Sequence, residues 1–308
     1  MPERQPKVAY RRMTAHDVQV TAYIRKAALE GLAREQGRDR AAWLPSLAPH
    51  FGHILSTDPD GSWLAEVDGL VVGYAQAIIR GDIWFLCQLF VQPEVHAKGV
   101  GQELLRRAMA YGEGRGARVY SVVSSTSPVA QSLYMRAGMF ARAVGYRLSG
   151  PVAPLCDLTL PDSCTAKRIV ECDGWRERVD ALDRAVFGAQ RGADHDLYRT
   201  WGGRVEAAAF ALLREHEFAG YAYTEEGGWF GPMAAYEPED QLPLLGLCAR
   251  WLREHGVEDG EAWVVSHNAT LMRALLGAGW RVSQWTFLKA NVPFGQFDRY
   301  HPSGGLLL

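Results

Sequence analysis

The sequence predicts an α+β fold built twice over. Three observations carry this. An antiparallel meander over residues 61–91 leads into a helix–strand–helix run, the same order returns more faintly after residue 206, and SGPVAPLCDLTLPDSCTAK (149–167) divides the 308 residues near their midpoint. That stretch holds three prolines and no helical period. The expected domains are therefore 1–150 and 151–308, each a mixed, mostly antiparallel sheet with helices on both faces.

The elements follow in order. GSWLAEVDGLVVGYAQAII reads as two strands about Asp68-Gly69, since Asp-Gly supplies the positive φ angles of a tight hairpin. IWFLCQLFV (83–91) is a third strand, after the Gly81-Asp82 turn. From Gly101 the apolar Leu104, Leu105, Ala108 and Met109 recur at three and four, which predicts a helix to about Gly114 with one buried face. ARVYSVVSS is a buried strand, and SPVAQSLYMRAGM a short helix with Ser127 as N-cap, Pro128 at its first position and Gly138 as its stop. The second half offers strands about turns near Glu217 and Gly227, a helix over EDQLPLLGLCARWLREHG, the strand EAWVVS and a helix in HNATLMRALLGAGW. An internal duplication accounts for this order.

Composition narrows the function. At 48% hydrophobic and 22% charged, with no run near the roughly 18 apolar residues of a membrane span, the chain reads as cytoplasmic and without a membrane partner. Five cysteines, no CxxC pair and no histidines at ligand spacing suggest free thiols and no metal. The net charge of −2 conceals a division: residues 1–150 carry 18 Lys+Arg against 13 Asp+Glu, and residues 151–308 carry 15 against 22. Neither balance suits nucleic acid, but the first half favours an anionic ligand and the second a cationic one.

At HAKGVG (96–101) a strand gives way to a helix through two glycines. The first N–H groups of a helix lack intrahelical partners, so Gly99 and Gly101 let an anion approach them, with Lys98, Arg106 and Arg107 adding long-range attraction. The other reading of this GxG is a tight turn into a helix and nothing more.

In Val91-Gln92-Pro93-Glu94, His96 to Gly101, and then Ser127, Ala130, Leu133-Tyr134 and Gly138-Met139, the chain resembles the GNAT superfamily of acyl-CoA-dependent N-acyltransferases. His96 stands where the family has arginine or glutamine, Ser127 where it has asparagine, and Met139 where it has phenylalanine. The resemblance covers most of residues 8–148. It implies that acetyl-CoA is the co-substrate and that backbone groups of Phe90 and Val91 pair with pantetheine. His96, Ala97, Lys98, Gly99, Val100, Gly101 and Gln102 would hold the pyrophosphate, and Ser127 and Ala130 would line the arm. Tyr134 would sit near the thioester sulfur and donate to the departing thiolate; the alternative is an aromatic buried against the sheet. No base stands out: Asp82, Gln88 and Glu66 are candidates, of which Gln88 could only position water or substrate.

The second half also resembles the family, through Asn268-Ala269-Thr270-Leu271 and Gly279-Trp280, but AAYEPEDQLPLLG replaces the glycine junction. Glu237, Glu239 and Asp240 would repel a pyrophosphate, so this copy reads as degenerate, a wall for the substrate or a structural unit. The resemblance implies an acetyl-CoA-dependent N-acetyltransferase acting on a small-molecule amine, as a monomer or homodimer. The other readings are an acyltransferase with another acyl-CoA or a hydroxyl acceptor, and a non-catalytic acyl-CoA-binding sensor. The surplus acids Glu225, Glu226, Glu237, Glu239 and Asp240 suggest that the amine is cationic; the plainer reading is a solvated acidic surface.

Overall fold

The computed structural model describes residues 8–35, 48–92, 95, 99–203 and 205–308. The chain forms two compact units, Met1–Ser121 and Val122–Leu308.

In the first unit, β1 (Val8–Arg12), β2 (Ser62–Val67), β3 (Leu70–Arg80) and β4 (Ile83–Val91) run antiparallel in that order, with β5 (Val119–Ser124) next to β4. Asp68 and Gly69 hold the β2–β3 turn with φ of 50° and 81°, as their sequence predicts. Pairing passes from Gln76↔Gln88 to Ala77↔Leu86, leaving Cys87 as an extra residue in β4. Such a bulge twists the strand locally and re-aims the side chains that follow it.

Because alternate residues of a strand face opposite ways, β3 and β4 meet helices on both sides. Tyr74 and Phe51 make an edge contact at 6.2 Å between ring centroids, so this face lies against α2 (Ala48–Thr57), and α1 (Val18–Glu35) contributes Ile24 to the same cluster. A Cβ on neighbouring Gly73 would lie 3.3 Å from Leu104, on the face covered by α3 (Val100–Gly114). The helix sits close: a Cβ on Gly112 would fall 2.8 Å from Trp84, whose Nε1 donates to the carbonyl of Ala108 at 2.9 Å.

The second unit adds α4 (Pro128–Arg136), β6 (Phe140–Pro151), β7 (Cys164–Arg168), α5 (Trp175–Val186), α6 (Gly192–Thr200), β8 (Ala207–Arg214), β9 (Glu217–Glu225), β10 (Trp229–Ala235), α7 (Gln241–Glu254), β11 (Asp259–Val265), α8 (Ala269–Gly277), β12 (Arg281–Ala290) and β13 (Tyr300–His301). The run from β7 to β12 repeats the element order from β1 to β6, strand for strand and helix for helix. Its faces repeat as well: a Cβ on Gly220 would meet Leu244 of α7 at 2.9 Å, while adjacent Tyr221 bonds Asp183 of α5.

The compact units part at Ser121/Val122, not at the predicted position 150. β6 is laid antiparallel between β11 and β12, from Val265↔Gly145 to Asp259↔Pro151 on one edge and from Arg281↔Ser149 to Ala290↔Phe140 on the other. The last strand of the first repeat thus belongs by its hydrogen bonds to the sheet of the second. The supposed connection 149–167 is largely ordered, holding the end of β6, a 3-10 turn over Ala153–Asp157 and the start of β7. Pro151 ends its strand, where a missing N–H costs no ladder bond. Among the described residues no helix is long and apolar enough to cross a membrane.

Candidate functional site

The glycine junction of the first unit opens α3. Gly99 caps α3 at φ 76°, a left-handed conformation that disfavours any side chain, and the first bond into the helix is Glu103 N–H to the Gly99 carbonyl at 3.0 Å. The N–H groups of Val100, Gly101 and Gln102 therefore precede the helical ladder and have no partner within it. Among the described residues a Cβ on Gly101 would meet only Val91 Cγ2, at 3.7 Å, an ordinary contact. Packing among the described residues thus gives no reason for glycine there. Val91 at the end of β4 and Gly101 in the first turn of α3 are neighbours. His96, Ala97 and Lys98 lie outside the described residues.

Arg106 and Arg107 do not serve as free attracting charges. Glu103 takes both, at 2.7 Å and 2.8 Å, and Arg107 also lies over the rings of Tyr10 and Trp63 at 4.8 Å and 4.9 Å. The spacing i, i+3 and i, i+4 on one helix made this pairing available, and the one carboxylate offsets one of the two positive charges.

α4 belongs to the second unit. Ser127 stands at its N-cap but makes no side-chain cap bond, so the predicted cap is one of position only. Gln131 fastens the turn instead, its Nε2 donating to Ser124 Oγ at 3.0 Å. Ala130 is half-buried one turn before Tyr134. Tyr134 is 6% exposed, and its hydroxyl has no hydrogen-bond partner among the described residues. Burial pushes its phenol well above the usual tyrosine range, so it stays protonated at any physiological pH.

A model of the acetyltransferase (GNAT) family matches residues 27–139. An aminoglycoside N(6')-acetyltransferase type 1 of Salmonella typhimurium is 31% identical over 108 residues, which cover 30% of this chain and 73% of that protein. The chain belongs to the GNAT family. A mycothiol acetyltransferase of Mycolicibacterium smegmatis is 26% identical over 238 residues, covering 75% of this chain and 64% of that protein, so the chain spans less than two thirds of that relative. In fold it is similar to a tandem GNAT protein from the clavulanic acid biosynthesis pathway, with a TM-score of 0.62 at 16% identity over 93% of this chain and 99% of that one.

The three candidates for a base in this GNAT chain are all engaged. Asp82 pairs with Arg118 at the end of β4 remote from Val91. Glu66 accepts from Arg11 Nε at 2.8 Å. Gln88, 3% exposed, accepts from the Tyr74 hydroxyl at 2.7 Å and donates to Gln76 at 3.2 Å, and Gln76 donates to the Phe51 carbonyl at 3.4 Å. This buried chain ties α2 to β3 and β4. Sequence reading missed it because Tyr74, Gln76 and Gln88 come onto one face only through the hairpin register and the bulge at Cys87.

In the second copy, Asp240 occupies the start of α7 and pairs with Arg214, while Glu225 caps its own turn by accepting from Gly227 N–H at 2.6 Å and Trp229 N–H at 3.3 Å. Two of the five acids expected to attract a cation are therefore internal parts of the fold. Asn268 keeps the capping role, accepting from Leu271 N–H at 3.0 Å.

Proposed function

We propose that the chain transfers the acetyl group of acetyl-CoA to an amine of a small molecule by direct attack. The observation that carries this reading is the start of α3: a left-handed Gly99, three N–H groups ahead of the helical ladder, and an open face at Gly101. In the transfer a bond forms from the amine nitrogen to the acyl carbon, the C–S bond breaks, and the electron pair leaves on sulfur. Backbone groups of Phe90 and Val91 and the segment 96–102 bind and orient the co-substrate.

Tyr134 is proposed to serve the departing sulfur. Its raised phenol is a much weaker acid than a thiol of ordinary pKa about 8.5, so it acts by donating a hydrogen bond to the thiolate, with the final proton drawn from solvent. With Asp82 and Glu66 in ion pairs and Gln88 held by hydrogen bonds to the Tyr74 hydroxyl and the Gln76 amide, the proton of the attacking amine passes to water.

Relatives named as mycothiol and aminoglycoside acetyltransferases support trying small-molecule amines related to those compounds first as acceptors. The test is a panel of such amines beside simple aliphatic ones, scored by free-thiol release from acetyl-CoA. Release that depends on the amine supports the proposal. Tight acetyl-CoA binding with no release from any acceptor contradicts it and leaves an acyl-CoA-binding module.

A further inference from the structure

The first copy is proposed to hold pantetheine against the backbone of Phe90 and Val91, and the following inference rests on that reading. FVQPE (90–94) corresponds in order to AYEPE (235–239), so Ala235 is the counterpart of Phe90. That backbone is already taken. Ala235 N–H donates to the carbonyl of Arg299 at 3.0 Å, and β13 pairs antiparallel with β10 at Ala234↔Tyr300 and Met233↔His301.

The place is where the sheet opens. β10 and β11 pair in parallel only at Trp229↔Glu261 and Phe230↔Ala262, and beyond those two positions β13 lies against both strands. We infer that the segment Asn291–Leu308, through its strand β13, is resident in the cofactor cleft of the second copy, seated where the first copy is proposed to hold the pantetheine arm. An extended segment bonded along an open strand edge gains main-chain hydrogen bonds much as a bound peptide does.

Three sets of contacts fix the segment. Tyr300 and His301 are 0% and 2% exposed, and His301 Nε2 donates to the Phe230 carbonyl at 3.1 Å. A buried guanidinium reaches it from the connection between α5 and α6: Arg191 is held by Asp183 through two bonds of 3.0 Å, and donates to the Leu308 carbonyl at 2.8 Å and to the Tyr300 hydroxyl. Gln241, the first residue of α7, donates to the Asp298 carbonyl at 2.7 Å and accepts from Asn268 at 2.8 Å, so the helix start and the asparagine cap are both tied to the segment. A tethered strand competes at an effective concentration on the order of millimolar, which free acyl-CoA would have to exceed.

The experiment is amide hydrogen exchange on the full chain without cofactor, together with the stoichiometry of acetyl-CoA binding by calorimetry. Ala235 N–H is expected to exchange at least about a hundredfold more slowly than in an unstructured peptide, and acetyl-CoA is expected to bind once per chain. Exchange of Ala235 at the free-peptide rate, or two equivalents of acetyl-CoA bound, overturns the inference. Slow exchange with no acetyl-CoA bound leaves the resident strand standing and removes the proposed function.

Discussion

Tyr134 and Gly101 separate cofactor binding from chemistry. Tyr134→Phe removes one hydroxyl that bonds nothing in the described protein, so stability and acetyl-CoA affinity are expected to hold while kcat falls by about a hundredfold or more. A kcat within twofold of the parent would return Tyr134 to a packing role. Because burial raises its pKa, the kcat profile is expected to show no alkaline loss from this phenol up to about pH 10, where an exposed tyrosine would ionise. His301 gives a prediction of the opposite kind. Burial lowers it to about 4, so between about pH 6.5 and 4 the unfolded chain takes up a proton that the folded chain refuses. The stability that neutral His301 confers is complete above about pH 6.5 and drains away as pH falls, by up to about 3 kcal/mol at 1.4 kcal/mol per unit. Urea midpoints across that range should fall less steeply in His301→Gln; equal slopes contradict the assignment.

Among elements, α3 and α7 occupy equivalent places in the two repeats and use glycine for opposite reasons. At Gly101 the space is open and the backbone helical, so Gly101→Ala is expected to stabilise the fold by about 0.5–1 kcal/mol while weakening acetyl-CoA binding. Loss of stability, or unchanged affinity, would contradict the account of the junction. A Cβ on Gly246 would lie 2.0 Å from the Leu158 carbonyl, so Gly246→Ala is expected to cost about 1–3 kcal/mol in thermal or urea unfolding. The meander, α3, α4 and their repeats were legible in the sequence because hairpin turns, helical periods and glycine stops are local signals. The exchange of β6 into the second sheet was not, since nothing in FARAVGYRLSGP says which neighbours its two edges meet. The paired states of Asp82 and Glu66 were likewise hidden, because their partners Arg118 and Arg11 lie far away in the sequence.

For the molecule as a whole, the two repeats share an element order and differ in what their open strands are offered. The first presents helix N–H groups with no partner in the helical ladder and a bare glycine; the second presents Asp240, a tethered Gln241 and the strand of residues 300–301. The asymmetry of charge seen in the sequence is only partly a surface property, given that Glu225 and Asp240 are buried in turns and helix starts. The central claim is that the junction at Gly99–Gln102 holds the phosphates of acetyl-CoA. Calorimetric titration of acetyl-CoA into the parent and Gly101→Glu tests it most directly, because the added carboxylate takes the anion's place in a position where the fold has room for it. The expected result is a loss of affinity of at least about tenfold, or 1.4 kcal/mol, with an unfolding midpoint no lower than the parent's. Equal affinity in the two folded proteins would contradict it.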